Sequence, residues 1–365
     1  MLNIHPRFKF NGHPYSNPKL RQLAYDLIKE GEDYEKSIGN FLADWLDSNT
    51  SITVQTSGST GKPKSISLKK AQMVNSALAT GEFFDLKAGE RALLCLPTEY
   101  IAGKMMLVRA IVLGLELDSV NPTSQPMAGN SKSYDFVAMV PLQLENSLDA
   151  LHQIKTLIIG GAPMSHTLKA QVQAQAQDGM AAIFETYGMT ETITHVAVRL
   201  RLPARSLSGG RSATGLGRSF VALPNVQFST DDRGCLIIDA PNVADGPVVT
   251  NDFVKLLSNT EFEWLGRYDN IINSGGVKLV PEQIEAKLMP IIGSRFFLGG
   301  IPDDKLGQKL VLLVEGKVDS ENLLTKIKSL KTIQKFEVPK EIIQVPKFME
   351  TGNGKVMRRE TVATL

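Results

Sequence analysis

The chain has 365 residues, 42% hydrophobic and 21% charged, with a net charge of +2. That length suggests two or three domains around a substantial core, and the ordinary composition excludes bulk disorder. The balanced charge gives no basis for nucleic-acid or membrane binding. No apolar run approaches the ~18 residues of a membrane span, and Met1–Arg7 holds no apolar leader, so the chain is expected in the cytoplasm. Cys95 and Cys235 each sit in an apolar run and are expected to be small core residues, not a disulfide or metal site. Charge is uneven along the chain: from Arg267 onward 16 Lys and Arg stand against 12 Asp and Glu. Such a basic module suits an anionic ligand or a solvated lysine surface.

From residue 52 short β-rich runs alternate with helical patterns. Strands are expected at 52–57, 92–97, 136–141, 156–161 and 181–185, and helices at 68–84, 101–113 and 164–177. Buried strands separated by helices predict a mainly parallel, doubly wound sheet with helices on both faces. After about residue 205 shorter runs at 225–229, 235–240 and 247–250, punctuated by Gly and Asp turns, predict a small β-rich portion. The texture changes again at Arg267. Strands at 296–301, 310–315 and 341–345 and a helix at 321–333 predict a compact α+β lid. The expected organisation is therefore a large α/β region over 1–266 and a lid over 267–365.

Residues 56–64, Thr-Ser-Gly-Ser-Thr-Gly-Lys-Pro-Lys, are the most chemical stretch. Bare backbone N–H groups, four hydroxyls and two lysines can wrap a polyphosphate. The spacing is not that of a Walker A loop, which needs four residues between its glycines. A solvated hairpin is the bland alternative. Tyr187-Gly188-Met189-Thr190-Glu191-Thr192 follows an expected strand, at the end where ligands bind open parallel sheets. Tyr187 could stack on a base, Thr190 could bond a phosphate, and Glu191 could hold Mg²⁺. Gly160-Gly161-Ala162-Pro163 would let backbone approach a ligand closely. Further on come Gly266-Arg267-Tyr268-Asp269, Ser274-Gly275-Gly276-Val277-Lys278, and a lysine, Lys355, on a glycine-flexed loop.

In this order the segments resemble the adenylate-forming superfamily of acyl-CoA synthetases, peptide-synthetase adenylation domains and luciferases, over Thr56 to Lys355. The resemblance implies that Thr56, Ser57, Gly58, Ser59, Thr60, Gly61 and Lys62 hold ATP phosphates. Gly161, Ala162, Tyr187 and Gly188 would line the adenine and acyl pockets. Thr190 would contact the α-phosphate, Glu191 the Mg²⁺, and Asp252 with Arg267 the ribose. Asp269 would be a hinge and Lys355 the catalytic lysine, while Gly275, Gly276 and Lys278 would line a CoA tunnel. The family usually has Gly where Asn251 stands. ATP, Mg²⁺, CoA and a small carboxylic acid are thus the implied partners; a homodimer is left open.

Within the superfamily the nearest resemblance is to the 2-succinylbenzoate–CoA ligases of menaquinone biosynthesis. The phosphate loop starts as early as residue 56, and Pro97–Arg109 fits their pattern, with Arg six residues beyond Gly103. Tyr100 stands where a His gate is common. Arg109, on an otherwise apolar helix, would be met by a second substrate carboxylate or would snorkel to solvent. Tyr100, Arg109, Gly160, Thr194 and His195 form the expected acid pocket. Alternatives are another aryl or short-chain ligase, a free-standing amino-acid adenylation enzyme using Asp135 for the amine, or a non-catalytic paralogue. No carrier-protein domain is expected, since ten residues follow Lys355.

Overall fold

The computed structural model describes residues 4–56, 64–175, 181–202, 217–350 and 356–365. Near the start, Lys9–Phe10 (β1) and His13–Pro14 (β2) pair as a short hairpin, and helices Asn17–Glu30 (α1) and Asp33–Leu46 (α2) follow. No element was expected here from the sequence, although α2 carries a helical signature. Ile38, Phe41, Leu42, Trp45 and Leu46 recur on one face and are all buried. Gly39 lets α1 and α2 touch: a Cβ there would fall 2.7 Å from Ala24 O.

Ser51–Thr56 (β3) and Lys64–Lys69 (β4) form an isolated antiparallel hairpin in register from Ser51↔Lys69 to Thr56↔Lys64. The first of these was expected to join the parallel sheet, and the following helix to start at 68. Both expectations are corrected. Ile66 and Leu68 alternate with polar neighbours, and that period of two makes a strand whose Leu68 packs with Ile52 and Val54. The helix, Lys70–Phe84 (α3), starts after it.

The doubly wound α/β region is present. Strands Arg91–Leu94 (β5), Glu116–Ser119 (β6), Tyr134–Met139 (β7), Ile154–Ile159 (β8) and Ala182–Gly188 (β9) are parallel in the order β9-β8-β7-β5-β6, with β1 parallel beyond β6. Successive residues face opposite cores. Ala92, Leu94, Phe136 and Phe184 pack toward α3 and Ile101–Leu113 (α4), whereas Leu93, Cys95, Val137 and Ile183 pack toward Pro141–Glu145 (α5) and His166–Ala174 (α6). Both faces being covered explains why these strands read as continuous apolar runs. Cys95 and Cys235 are buried free thiols.

The β-rich portion continues the same sheet instead of forming its own. His195–Leu202 (β10) pairs antiparallel with β9, and Ser219–Ala222 (β11), Gln227–Thr230 (β12), Cys235–Asp239 (β13), Val248–Ser258 (β14) and Glu261–Arg267 (β15) extend the sheet to thirteen strands among the described residues, this part in the order β12-β13-β14-β15-β11-β10-β9. The run expected to stop at 250 extends to Ser258, because Thr250, Asp252 and Val254 alternate inward as one strand face.

Sheet hydrogen bonding stops at Arg267 and resumes in another sheet at Ile272–Ser274 (β16). Val277–Leu279 (β17), Phe296–Asp303 (β18), Gly307–Glu315 (β19) and Glu341–Val345 (β20) complete it. Pro281–Leu288 (α7) and Ser320–Ser329 (α8) cover one face, and Arg358–Ala363 (α9) with Phe348 the other. Arg358 of α9 grips buried Glu285 of α7 through both carboxylate oxygens, at 2.7 and 2.8 Å. Among the described residues no helix is long and apolar enough to cross a membrane.

Gly103, in the first turn of α4, sits where a Cβ would come within 2.3 Å of Pro97 O and 2.7 Å of Leu96 O. Backbone cannot swing aside as a side chain can. Gly103→Ala should therefore cost about 1–3 kcal/mol in urea unfolding, whereas Gly246→Ala, with nothing within 4 Å, should stay within about 0.5 kcal/mol.

Candidate active site

The carboxyl end of β9 meets β14 and β15 at one edge, where side chains from three strands converge. Asp252 of β14 is the centre, only 7% exposed. The Tyr187 hydroxyl donates to its Oδ2 at 2.6 Å, while Trp264 Nε1 and Arg267 Nη1 donate to Oδ1 at 3.1 and 3.2 Å. Asp252 and Arg267 are cross-strand partners, so the pairing register itself sets this contact. Burial and the neighbouring carboxylate push the Tyr187 hydroxyl well above its usual range. Its ring packs edge-on against Phe262, centroids 5.1 Å apart. Tyr187 is thus tied at its polar tip. Trp264 had no sequence signal beyond strand alternation.

Gly160 and Gly161 lie beside this edge. Thr186 donates to Ile159 O at 3.0 Å, and a Cβ on Gly160 would fall 2.7 Å from that Thr186 hydroxyl. Gly161 has φ +82°, which a side chain would strain. Ala162 next to it is exposed. After β9 the chain turns sharply. A Cβ on Gly188 would meet Thr194 O at 2.1 Å. Ile193 has φ +64° and ψ −62°, with Thr194 N donating to Thr192 O at 2.7 Å. That γ-turn is rare for any residue and rarer for a β-branched one, and costs of order 1–3 kcal/mol. Complete burial of the Ile193 side chain opposes the strain. Nothing in the sequence announced it. Thr190 is half-buried on the preceding turn, and Glu191 points an exposed carboxylate outward.

Ser57, Gly58, Ser59, Thr60, Gly61, Lys62 and Lys355 lie outside the described residues; Thr56 ends β3. Among the described residues no cluster of three carboxylate, His or Cys ligands forms a metal cage. A Mg²⁺ on Glu191 would take its other oxygens from phosphates and water, which is ordinary for this ion. Asp269 occupies the short turn between the two large sheets. Asn251 Nδ2 donates to its carboxylate at 3.2 Å and Arg359 to its carbonyl at 3.1 Å. Gly275 and Gly276 have φ +58° and +82°. They form the two-residue turn between Ser274 and Val277, which demands positive φ at both positions. No hydrogen bond or ion pair among the described residues joins them, or exposed Lys278, to the Asp252 cluster.

The expected acid pocket divides. Tyr100 caps α4 and is 51% exposed, about 13 Å along the helix from Arg109 at 1.5 Å per residue. Arg109 does not snorkel: it is 2% exposed. Its guanidinium meets Thr80 Oγ1 at 3.3 Å, His195 Nδ1 at 3.4 Å and Met106 Sδ at 3.7 Å, and among the described residues it forms no ion pair. Desolvation alone pulls its pKa down to about 9. The same burial, with Arg109 alongside, keeps His195 neutral. His195 and Ser76 line a cavity of about 190 Å³ between α3 and the loops around Leu223 and Asn242. Thr80 was missed by sequence reading. Its signal was a hydroxyl at spacing four from Ser76 on a helix that buries Met73 and Ala77. Asp135, the amine-anchor candidate, is at the opposite end of its strand, accepting from Arg91 N at 2.9 Å.

A strand-end edge with a buried carboxylate hub and glycine-lined backbone is the place where open α/β sheets bind ligands. Residues 19–246 match the AMP-binding enzyme family, and the chain belongs to it. A solved acyl-CoA synthetase (AMP-forming)/AMP-acid ligase II-like protein from Dyadobacter fermentans is 38% identical, with 94% of this chain and 98% of that one covered and a TM-score of 0.60. The Bacillus subtilis o-succinylbenzoate coenzyme A synthetase, solved with ATP and magnesium ion, shares the fold at TM-score 0.71 and 18% identity, covering 95% of this chain and 82% of that one. A probable 2-succinylbenzoate–CoA ligase of Mycobacterium tuberculosis is 29% identical over 92% of this chain and 90% of its own length. The Staphylococcus aureus 2-succinylbenzoate–CoA ligase is 26% identical, over 93% and 72%. The protein is an AMP-forming enzyme of the acyl-CoA synthetase type.

The Arg109 environment has a thermodynamic consequence. The folded guanidinium's pKa lies below the unfolded one's. The unfolded chain therefore holds that proton more tightly, and the charge costs stability at every pH below about 9, less as pH rises through it. Arg109→Met, similar in volume and uncharged, should raise resistance to urea at pH 7 by about 1–4 kcal/mol. A fall in stability would mean that the hydrogen bonds to Thr80 and His195 outweigh the desolvation cost.

Proposed function

We propose that the protein activates a carboxylic acid as its acyl adenylate and passes the acyl group to CoA, with 2-succinylbenzoate as the preferred acid. ATP and Mg²⁺ serve the first step. One acid oxygen attacks the α-phosphorus and pyrophosphate leaves. In the second step the CoA sulfur attacks the acyl carbon, its proton is lost, and AMP departs. Asp252 and Arg267 are the proposed ribose contacts, Thr190 an α-phosphate contact and Glu191 the protein's Mg²⁺ ligand. The phosphate loop Thr56–Lys62 would hold the β- and γ-phosphates. The residues at 267–365 are proposed as a lid turning about Asp269, a reading supported by the break between the two sheets. Turning would present Gly275, Gly276 and Lys278 to CoA.

The observation that carries the choice of acid is Arg109: a fully buried cation whose described partners are all neutral. A buried charge without a counter-charge is expensive. A substrate with a second, non-reacting carboxylate supplies that counter-charge, and a monocarboxylic acid does not. The names of the Mycobacterium and Staphylococcus relatives agree with such a diacid. Menaquinone biosynthesis is the process in which it would be used.

Arg109→Ala should lower kcat/KM for 2-succinylbenzoate by on the order of 2–5 kcal/mol of transition-state stabilisation. Turnover of monocarboxylic analogues should change far less, and equal losses would remove Arg109 from recognition. Pyrophosphate release across a panel of aromatic, aliphatic and amino acids tests the substrate itself; better turnover of benzoate or a fatty acid would defeat the assignment.

Lys355→Ala separates the half-reactions. Its ammonium would offset charge between carboxylate and α-phosphate, a juxtaposition that ends once the adenylate exists. Adenylate formation should fall by roughly 10²–10³-fold, while thiol transfer from preformed adenylate should be much less affected. Equal losses in both would make the lysine structural.

A further inference from the structure

The hydrogen bonds around Arg109 close in one self-consistent way. The Thr80 hydroxyl has a single proton, and the Ser76 carbonyl one turn earlier, 2.9 Å away, accepts it. The hydroxyl oxygen is then an acceptor for Arg109 Nε at 3.3 Å and for His195 Nε2 at 3.4 Å. A guanidinium only donates. The His195 nitrogen facing it, Nδ1 at 3.4 Å from Nη2, must therefore carry the lone pair, and Nε2 the proton. Reversing the tautomer would set two donors against each other at Nδ1 and leave Nε2 bare. One oxygen, on a helix that supplies no other described contact to the guanidinium, thus orients the arginine fork and selects the histidine tautomer.

We propose that Thr80 is a positioning residue for recognition of the acid, holding Arg109 and neutral, Nε2-protonated His195 in the arrangement that receives the substrate's non-reacting carboxylate. The inference rests on the reading that Arg109 meets that carboxylate. It goes beyond it in assigning specificity to a residue that itself need not touch the substrate. Main-chain anchoring through Ser76 O makes the arrangement rigid before substrate arrives, so less freedom is lost on binding. A neutral His195 matters for the same reason. A second cation in the cluster would repel Arg109, and the wrong tautomer would turn a donor against it.

The test compares Thr80→Val, which keeps shape and removes the oxygen, with Thr80→Ser, which keeps the oxygen. Each is assayed with 2-succinylbenzoate and with 3-benzoylpropionate and 2-butanoylbenzoate, which each lack one of its carboxylates. Expected for Thr80→Val is a rise of roughly 10- to 100-fold in KM for the diacid with kcat little changed, and much smaller effects on whichever analogue is turned over. Thr80→Ser should recover most of the diacid KM. In ¹⁵N-histidine-labelled protein, the His195 ring should read as a single Nε2–H tautomer in the unmodified enzyme and as a mixture in Thr80→Val. Equal behaviour of Val and Ser variants, equal losses on diacid and analogue, or an unchanged tautomer would each overturn the proposal. Should Thr80→Val fail to fold, Thr80→Ala removes the same oxygen without added bulk. Arg109→Ala run alongside separates the two failures. A selective Arg109→Ala with an unselective Thr80→Val sinks Thr80 alone, and an unselective Arg109→Ala sinks the reading beneath it.

Discussion

Strand β9 is the element on which the site depends. It pairs parallel with β8 on one side and antiparallel with β10 on the other. The switch from crossover to hairpin happens at its carboxyl end, within Gly188–His195. A parallel strand must leave by a long connection over a face of the sheet, whereas an antiparallel partner returns at once. The tight return brings Thr194 O against the Cα of Gly188, forces Ile193 into positive φ, and starts β10 on His195. Tyr187, two strand positions from the core residue Glu185, is delivered to the Asp252 hub by the same run. Strain at Ile193 is therefore the cost of joining two sheet types at the edge where chemistry is expected, and the buried core around that side chain holds it in place.

Arg109 and Asp252 are opposite solutions to burying charge. Asp252 accepts three hydrogen bonds from Tyr187, Trp264 and Arg267, one of them from a cation, so its carboxylate is compensated within the protein. Arg109 is surrounded by a hydroxyl, a neutral imidazole and a thioether, all of which solvate a cation without neutralising it. Proteins rarely leave a guanidinium so placed unless something outside the chain completes it. A compensated Asp252 contributes to holding the edge together, whereas Arg109, without a counter-charge among the described residues, is the cation to which the proposed diacid would bring one.

Much of this was legible in the sequence, and for definable reasons. The parallel strands at β5, β7, β8 and β9 were visible because burial on both faces leaves unbroken apolar runs, and β20 because it stands between turn signals. Arg109 was identifiable as a charge on an apolar helix and Tyr187 as an aromatic at a strand end, whereas Asp252 and His195 were marked by the family resemblance. The β3–β4 hairpin was missed because a helix pattern beginning at Leu68 outweighed a four-residue alternation. β14 was cut short because Asn251 and Asp252 are poor strand formers in isolation; the three donors that stabilise Asp252 come from residues distant in sequence or across the sheet. Thr80 and the Ile193 turn depend wholly on tertiary contacts.

Alternation along β14 also explains how the edge communicates with the chain beyond the sheet. Asp252 faces inward to Tyr187, so its neighbour Asn251 must face the other way. There its side-chain Nδ2 donates to Asp269, and its side-chain Oδ1 accepts from Arg233 at 3.0 Å, whose guanidinium lies over the Tyr268 ring. Two adjacent residues thus hold the inner hub and the turn that begins the second sheet. The family resemblance has glycine at the position of Asn251, which could make neither contact. In this chain the turn at Asp269 is therefore restrained from the sheet side by Asn251 and from α9 by Arg359. Movement of the turn away from the sheet must break the Asn251 contact, and because β14 carries Asn251 next to Asp252, such a movement begins one peptide away from the buried carboxylate.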